Sequence, residues 1–98
     1  MDKIKLPEES KALLFLMSDK SHIEPNISGE ATKWLDVLEY YGFIKGTKNM
    51  QGNYIIAEIT QKGKVYLIEN PKLKDPSFWD DKHKLLDHLI GIIGIIKP

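Results

Sequence analysis

Lys45, Lys48, Lys62 and Lys64 fall within one 20-residue stretch, and Glu58 is the only acid among them. Asn49, Gln51 and Asn53 add polar donors between the first and second lysine pairs. Ammonium groups on flexible stems contact phosphate as point charges, without reading sequence. Four of them supply only a modest, salt-dependent attraction to a polyanion. Exposed lysine has a second use, because it guards a strand edge against unwanted pairing.

Other chemistry finds less support. Asp80, His83 and Asp87 lie at offsets of three and four, so one helix face could offer them to zinc or manganese. They lack the usual ligand set and a supporting shell, and a solvated face is the simpler reading. The serines Ser10, Ser18, Ser21, Ser28 and Ser77 sit mostly at helix starts or turns, where capping explains them. Ser21 beside His22 is a neighbour pair and not a catalytic triad. KGTK and QKGK lack the longer glycine spacing of a phosphate loop. Trp34 and Trp79 read as packing residues. These patterns imply no enzyme, no metal and no cofactor.

The chain has 98 residues, enough for one domain with a small core. Lys and Arg balance Asp and Glu at 14 each, so no global basic field draws nucleic acid from a distance. All the basic residues are lysine, which removes bidentate arginine–guanine contacts. With 13 isoleucines, this bias suggests an AT-rich genome: a low-GC bacterium, a phage or a plasmid. There is no cysteine, hence no disulfide framework, no thiolate zinc site and no cysteine nucleophile. The N-terminus lacks an apolar signal region, and the expected location is cytoplasmic.

Several elements must position these side chains. Residues 7–19 predict a helix, with proline at its first position and two glutamates in its first turn. Residues 21–29 predict a turn, because Pro25 disfavours a helix through Glu24. Ser28 predicts an N-cap for a helix over 29–41, whose buried stripe is Ala31, Trp34, Leu35, Leu38 and Tyr41. Gly42 stands where a helix-ending glycine belongs. Residues 42–49 and 54–60 predict two strands joined by a turn over 50–53. Thr60 predicts the cap of a helix over 61–70, which Pro71 ends. Residues 71–77 predict a linker. Ser77 then predicts the cap of a final helix running from about 78 to 96.

The order helix, turn, helix, hairpin, helix resembles the winged helix-turn-helix superfamily. The residues that carry the resemblance are VLEYYGFIKG, at 37–46, and AEITQKGKVYL, at 57–67. There a helix ends in a small-residue turn and enters the first wing strand through an apolar pair, here Phe43 and Ile44. The second wing strand returns into a Thr–x–x–Gly helix start, here Thr60 to Gly63. The resemblance covers roughly residues 7–70, and it departs from the pattern where the second helix should stand, since 21–27 is short and holds Pro25. The implied fold class is α+β: a winged helix with a two-stranded β wing, plus a C-terminal α-helix. The hairpin would lay Phe43, Tyr54 and Ile56 on the helices, with Val65 and Leu67 opposite.

The resemblance implies that residues 29–41 approach the major groove while the wing reaches phosphates. Ser28, Thr32, Lys33, Lys45, Lys48, Asn49, Lys62 and Lys64 are then the candidate DNA-binding residues. Against this, the reading helix would carry Glu30, Asp36 and Glu39 with a single lysine, Lys33. The first reading is a transcriptional regulator on double-stranded DNA, since that is the superfamily's most frequent use. The second is a protein-docking winged helix. Both rest partly on fold analogy.

Residues 85–96 hold too many apolar side chains for one stripe, so the helix wants burial on most sides. Trp79, Leu85, Leu86, Leu89, Ile90, Ile93 and Ile96 are the candidate interface, packing back on the domain or on a twin in a homodimer. Membrane contact is the weaker reading, since twelve residues cannot span where ~20 are needed. The expected organisation is a winged-helix domain over 1–70, a linker over 71–77 and an apolar C-terminal helix over 78–98.

Overall fold

The computed structural model describes residues 4–18, 22–25 and 29–93, with the backbone of 95–97. It is an α+β fold. Helices α1 (Glu8–Met17), α2 (Thr32–Tyr40), α3 (Gln61–Glu69) and α4 (His83–Ile93) pack against strands β1 (His22–Glu24), β2 (Ile44–Lys48), β3 (Tyr54–Ile59) and β4 (Ile95–Lys97). The strands form one antiparallel sheet in the order β2-β3-β1-β4.

Local sequence explains several boundaries. Gly42 ends α2 with φ +80°, and its N–H and that of Phe43 return to the carbonyls of Glu39 and Leu38 at 2.9 Å each. This satisfies carbonyls that the helix end would otherwise orphan. The Thr60 hydroxyl accepts from the Gly63 N–H at 3.1 Å and donates to the Gly42 carbonyl at 2.6 Å. One threonine therefore caps α3 and ties it to the exit of α2. Gly63 has to be glycine, because a Cβ there would strike the Phe43 carbonyl and lie 2.7 Å from Ile59.

Other elements differ from the expectation. The segment after α1 is expected to hold a short turn or at most one turn of helix, yet His22–Glu24 forms β1, with Ile23 opposite Ala57. A three-residue strand has no local signal of its own; its partner β3 makes it one. Helix α2 begins at Thr32 and not at residue 29, and no side chain caps it. Ser28, the expected cap, lies outside the described residues. Ile56 stands opposite Thr47 in the regular ladder, on the other face of the strand from buried Ala57, and the shift between Thr47 and Lys48 then brings Tyr54 opposite Lys48. Ile56 is consequently exposed, as is Val65, and neither joins the apolar contact expected of them. Phe43, Tyr54 and Leu67 do.

The C-terminal third departs furthest. The expected linker is a 3₁₀ turn (Pro71–Lys74) followed by a 3₁₀ stretch (Pro76–Lys82). Asp75, not Ser77, caps the latter, accepting from the Ser77 N–H at 3.0 Å. The expected helix to residue 96 stops at Ile93, and 95–97 pair with β1 instead. Isoleucine suits a pleated strand as well as a helix, and the unpaired side of β1 decides between them.

The core is shared by the whole described chain. Leu13, Leu14 and Met17 of α1 meet Leu35 and Leu38 of α2, Ile23 and Ala57 of the sheet, and Leu73, Trp79, Leu89 and Ile93 from the C-terminal third. Trp79 stacks on Phe15 with ring centroids 5.5 Å apart, and its indole N–H donates to the Leu73 carbonyl at 3.0 Å. Burying an indole this way removes a large apolar area and leaves its one polar atom satisfied. Trp79→Ala is expected to lower the free energy of unfolding by about 3–5 kcal/mol, read from urea melts. A loss under about 1 kcal/mol would show that residues 71–93 are an appendage and not part of the core.

Candidate binding surface on the hairpin and second helix

A polar cluster around Tyr54 holds the hairpin to α2. The Tyr54 ring is buried, and its hydroxyl lies 2.7 Å from Glu39 Oε1 and 3.0 Å from Asp36 Oδ1. Lys48 Nζ reaches the same Asp36 oxygen at 2.7 Å, and it sits 4.9 Å from the Tyr54 ring centroid. A phenol donates one proton, so the hydroxyl serves one carboxylate at a time, and the ammonium offsets the charge of Asp36. Burial first, then the bonds to Glu39 and Asp36, pushes the Tyr54 phenol far above its ordinary range. The bond to Asp36 also raises Lys48.

Several of the expected DNA-contact residues have partners within the chain. Lys48 is held by Asp36, and Lys45 pairs with Glu58 at 3.2 Å across the hairpin. The Asn49 carboxamide oxygen accepts from the N–H groups of Gln51 and Asn53 at 3.0 Å each, so it shapes the turn from within. Gly52 completes that turn at φ +82°. Thr32 donates to the Asn53 side chain at 3.3 Å. Lys33 Nζ lies 4.7 Å over the Trp34 ring, and the stem of Lys62 lies beside Gly42. Among the described residues, Lys33, Lys62 and Lys64 form no ion pair. Ser28 lies outside the described residues.

The candidate interface of the last helix is mostly used inside the chain. Trp79, Leu89 and Ile93 are buried, Leu85 and Leu86 are half-buried against the core, and Ile90 is exposed. The Ile96 side chain lies outside the described residues. No helix of the described residues is long and apolar enough to cross a membrane, and no three His, Asp or Glu side chains among them gather as a metal-ligand set.

Two features had no clear sequence signal. One is the Asp36–Glu39–Tyr54 cluster: the i, i+3 acids read as a solvated face, and only the returning strand reveals their partner. The other is a line of ring contacts. Tyr40 meets Tyr41 edge-on at 5.1 Å, Tyr41 meets Phe43 at 5.9 Å, and Phe43 meets Tyr66 at 4.6 Å. Tyr40, at its outer end, is 83% exposed. An open cleft of about 490 Å³ lies between α1, α2 and α4, lined by Glu9, Glu30, Thr32, Lys33, Leu85 and His88 among others. Comparison with family models, curated proteins and solved structures finds no match to this chain.

The Tyr54 cluster sets a pH dependence. A raised phenol pKa means the folded state favours the protonated ring, so its contribution is complete below pH 10.0 and is lost as pH rises above that value. Tyr66, raised by burial, adds in the same direction. Tyr54→Phe is expected to cost about 1–2 kcal/mol at neutral pH, and to remove about one proton from the alkaline slope of stability. Urea melts at pH 7 and above pH 10 measure both. An unchanged alkaline slope would mean that the phenol is not held protonated by the fold.

Proposed function

We propose that this chain is a non-enzymatic docking module of winged-helix type that binds a protein partner. The element order supports the winged-helix reading: a helix, a strand, a helix, a hairpin and a helix, with β1 extending the hairpin into a sheet. Residues 25–31 are all that separate β1 from α2, a short interval for the additional helix that holds a reading helix in DNA.

The observation that carries the proposal is the internal engagement of the hairpin lysines. Lys45 and Lys48 face Glu58 and Asp36 of their own chain, so a duplex would have to draw them from carboxylates that then repel its phosphates. Glu39 adds a further acid on the same side of α2. The surface offers a protein what it does not offer DNA. The exposed Tyr40 continues into Tyr41, and Ile68 stands exposed on α3. Tyrosine supplies large contact area at low entropic cost and is enriched at protein interfaces. A DNA-binding regulator remains the competing reading, favoured by Lys62 and Lys64, which form no ion pair among the described residues.

Fluorescence anisotropy of a labelled random duplex, titrated with the chain across salt concentrations, separates the two. The expected result is no saturable binding even at low salt. Tight binding that weakens steeply with salt, and that Lys62→Gln with Lys64→Gln abolishes, would overturn the docking reading in favour of DNA.

A further inference from the structure

The sheet has one covered face and one open face. Ala57 and Ile23 stand opposite each other and are fully buried, with Gly46 beside Ala57 in the same row. Successive residues of a strand point to opposite faces. Lys45, Thr47, Ile56 and Glu58 therefore share the other face, with Lys45 opposite Glu58 and Thr47 opposite Ile56. The ladder then breaks. Lys48 pairs with Tyr54, so Ile55 is an extra residue with no counterpart on β2. A bulge of this kind re-aims a side chain. Tyr54 and Ala57 are buried, while Ile55 and Ile56 between them are 52% and 38% exposed. The bulge thus sets two isoleucines side by side on the open face, where regular alternation allows one.

We propose that two copies of the chain associate through this face, open sheet on open sheet. Adjoining exposed isoleucines favour a surface that covers them. The charge pattern selects a second copy as that surface. Lys45 and Glu58 pair at 3.2 Å across the strands, so the patch carries both signs side by side. A twofold axis along the strands, between β2 and β3, sets each β2 over the β3 of the other copy. Lys45 then faces Glu58 of the second copy, and Glu58 faces its Lys45, as a self-complementary interface requires. The four charges alternate around a square. Thr47 faces Ile56 in the same exchange. A depression of about 220 Å³ lies between Lys45, Thr47, Ile56 and Glu58, and its lining comes from β2 and β3 alone. It can seat an isoleucine of the facing sheet, because side chains of packed sheets interdigitate.

Other occupants fit less well. A polyanion meets a lysine already paired with an acid. A peptide of one charge satisfies Lys45 or Glu58 and is repelled by the other. His22 and Glu24 of β1, in contact at 3.2 Å, share the open face and form a polar rim. A patch two strands wide stands at the small end of interfaces, so the association is weak and reversible. Tyr40 belongs to α2, on the covered side of the sheet, and stays free in such a pair. The pair then presents two tyrosine surfaces at once.

The test dilutes the isotope-labelled chain from about 2 mM to about 20 μM and follows sedimentation and amide shifts. The expected result is a mass that rises towards two chains at the top of the range. The dilution shifts should centre on Lys45, Thr47, Ile55, Ile56 and Glu58. Ile55→Lys should weaken association by about tenfold or more, with an unchanged thermal melt as the control for folding. Lys45→Glu and Glu58→Lys should each be monomeric alone and associate when mixed, because mixing restores opposite charges at both contacts across the axis. An unaltered chain that stays monomeric at about 2 mM overturns the proposal. So do dilution shifts centred on Ile90 or Tyr40. So does a mixture of the two charge variants that associates no more than either alone. The docking reading is judged separately, by the duplex titration.

Discussion

A buried phenol under the hairpin sets the terms for everything around it. The Tyr54 ring can lie flat against the sheet only because position 46 is glycine, whose Cβ would otherwise sit 2.6 Å from the ring. Its hydroxyl cannot stay dry without an acceptor, so α2 must bring Asp36 and Glu39 to it. Two carboxylates beside one phenol need a cation, and Lys48 is that cation. Four residue identities on two elements thus answer a single burial on a third. The lysine that looks like a phosphate contact is a component of the fold first.

The same economy runs through the C-terminal third. A chain of this length cannot close a core from one helix pair and a hairpin. Leu73, Trp79, Leu89 and Ile93 supply what is missing, and Trp79 anchors them by stacking on Phe15. The apolar richness of this segment is therefore consumed largely from within. On α4 itself Ile90 remains outside, while Tyr40, Met50, Ile55 and Ile68 are the most exposed apolar side chains elsewhere among the described residues.

How much of this is legible in the sequence depends on how local the cause is. The Thr60 cap, the Gly42 stop and the hairpin strands can be read directly, because each is decided within a few residues. The α+β class follows from their order. Strand β1 cannot be read, since three residues before a proline carry no pattern until Ala57 stands opposite Ile23. Residues 85–96 mislead for a related reason. Isoleucine tolerates both helix and strand, and the switch at Ile93 is set by an edge most of the chain away. The candidate surface was half visible. The positions of the lysines and acids could be counted, but which acid holds which lysine depends on how the two strands pair and how the hairpin lies on α2, which no spacing announces.

The pairing of β4 with β1 has a kinetic meaning. Ile23 and Ile96 sit opposite each other although most of the chain lies between them. Contacts that close so long a loop are entropically expensive to form early, and they slow folding relative to the local α2, hairpin and α3 unit. On an emerging polypeptide, the first helix, the hairpin and α3 are complete while β1 still has one bare side. The sheet becomes four strands wide only after β4 has emerged, so β1 waits longest for its second neighbour.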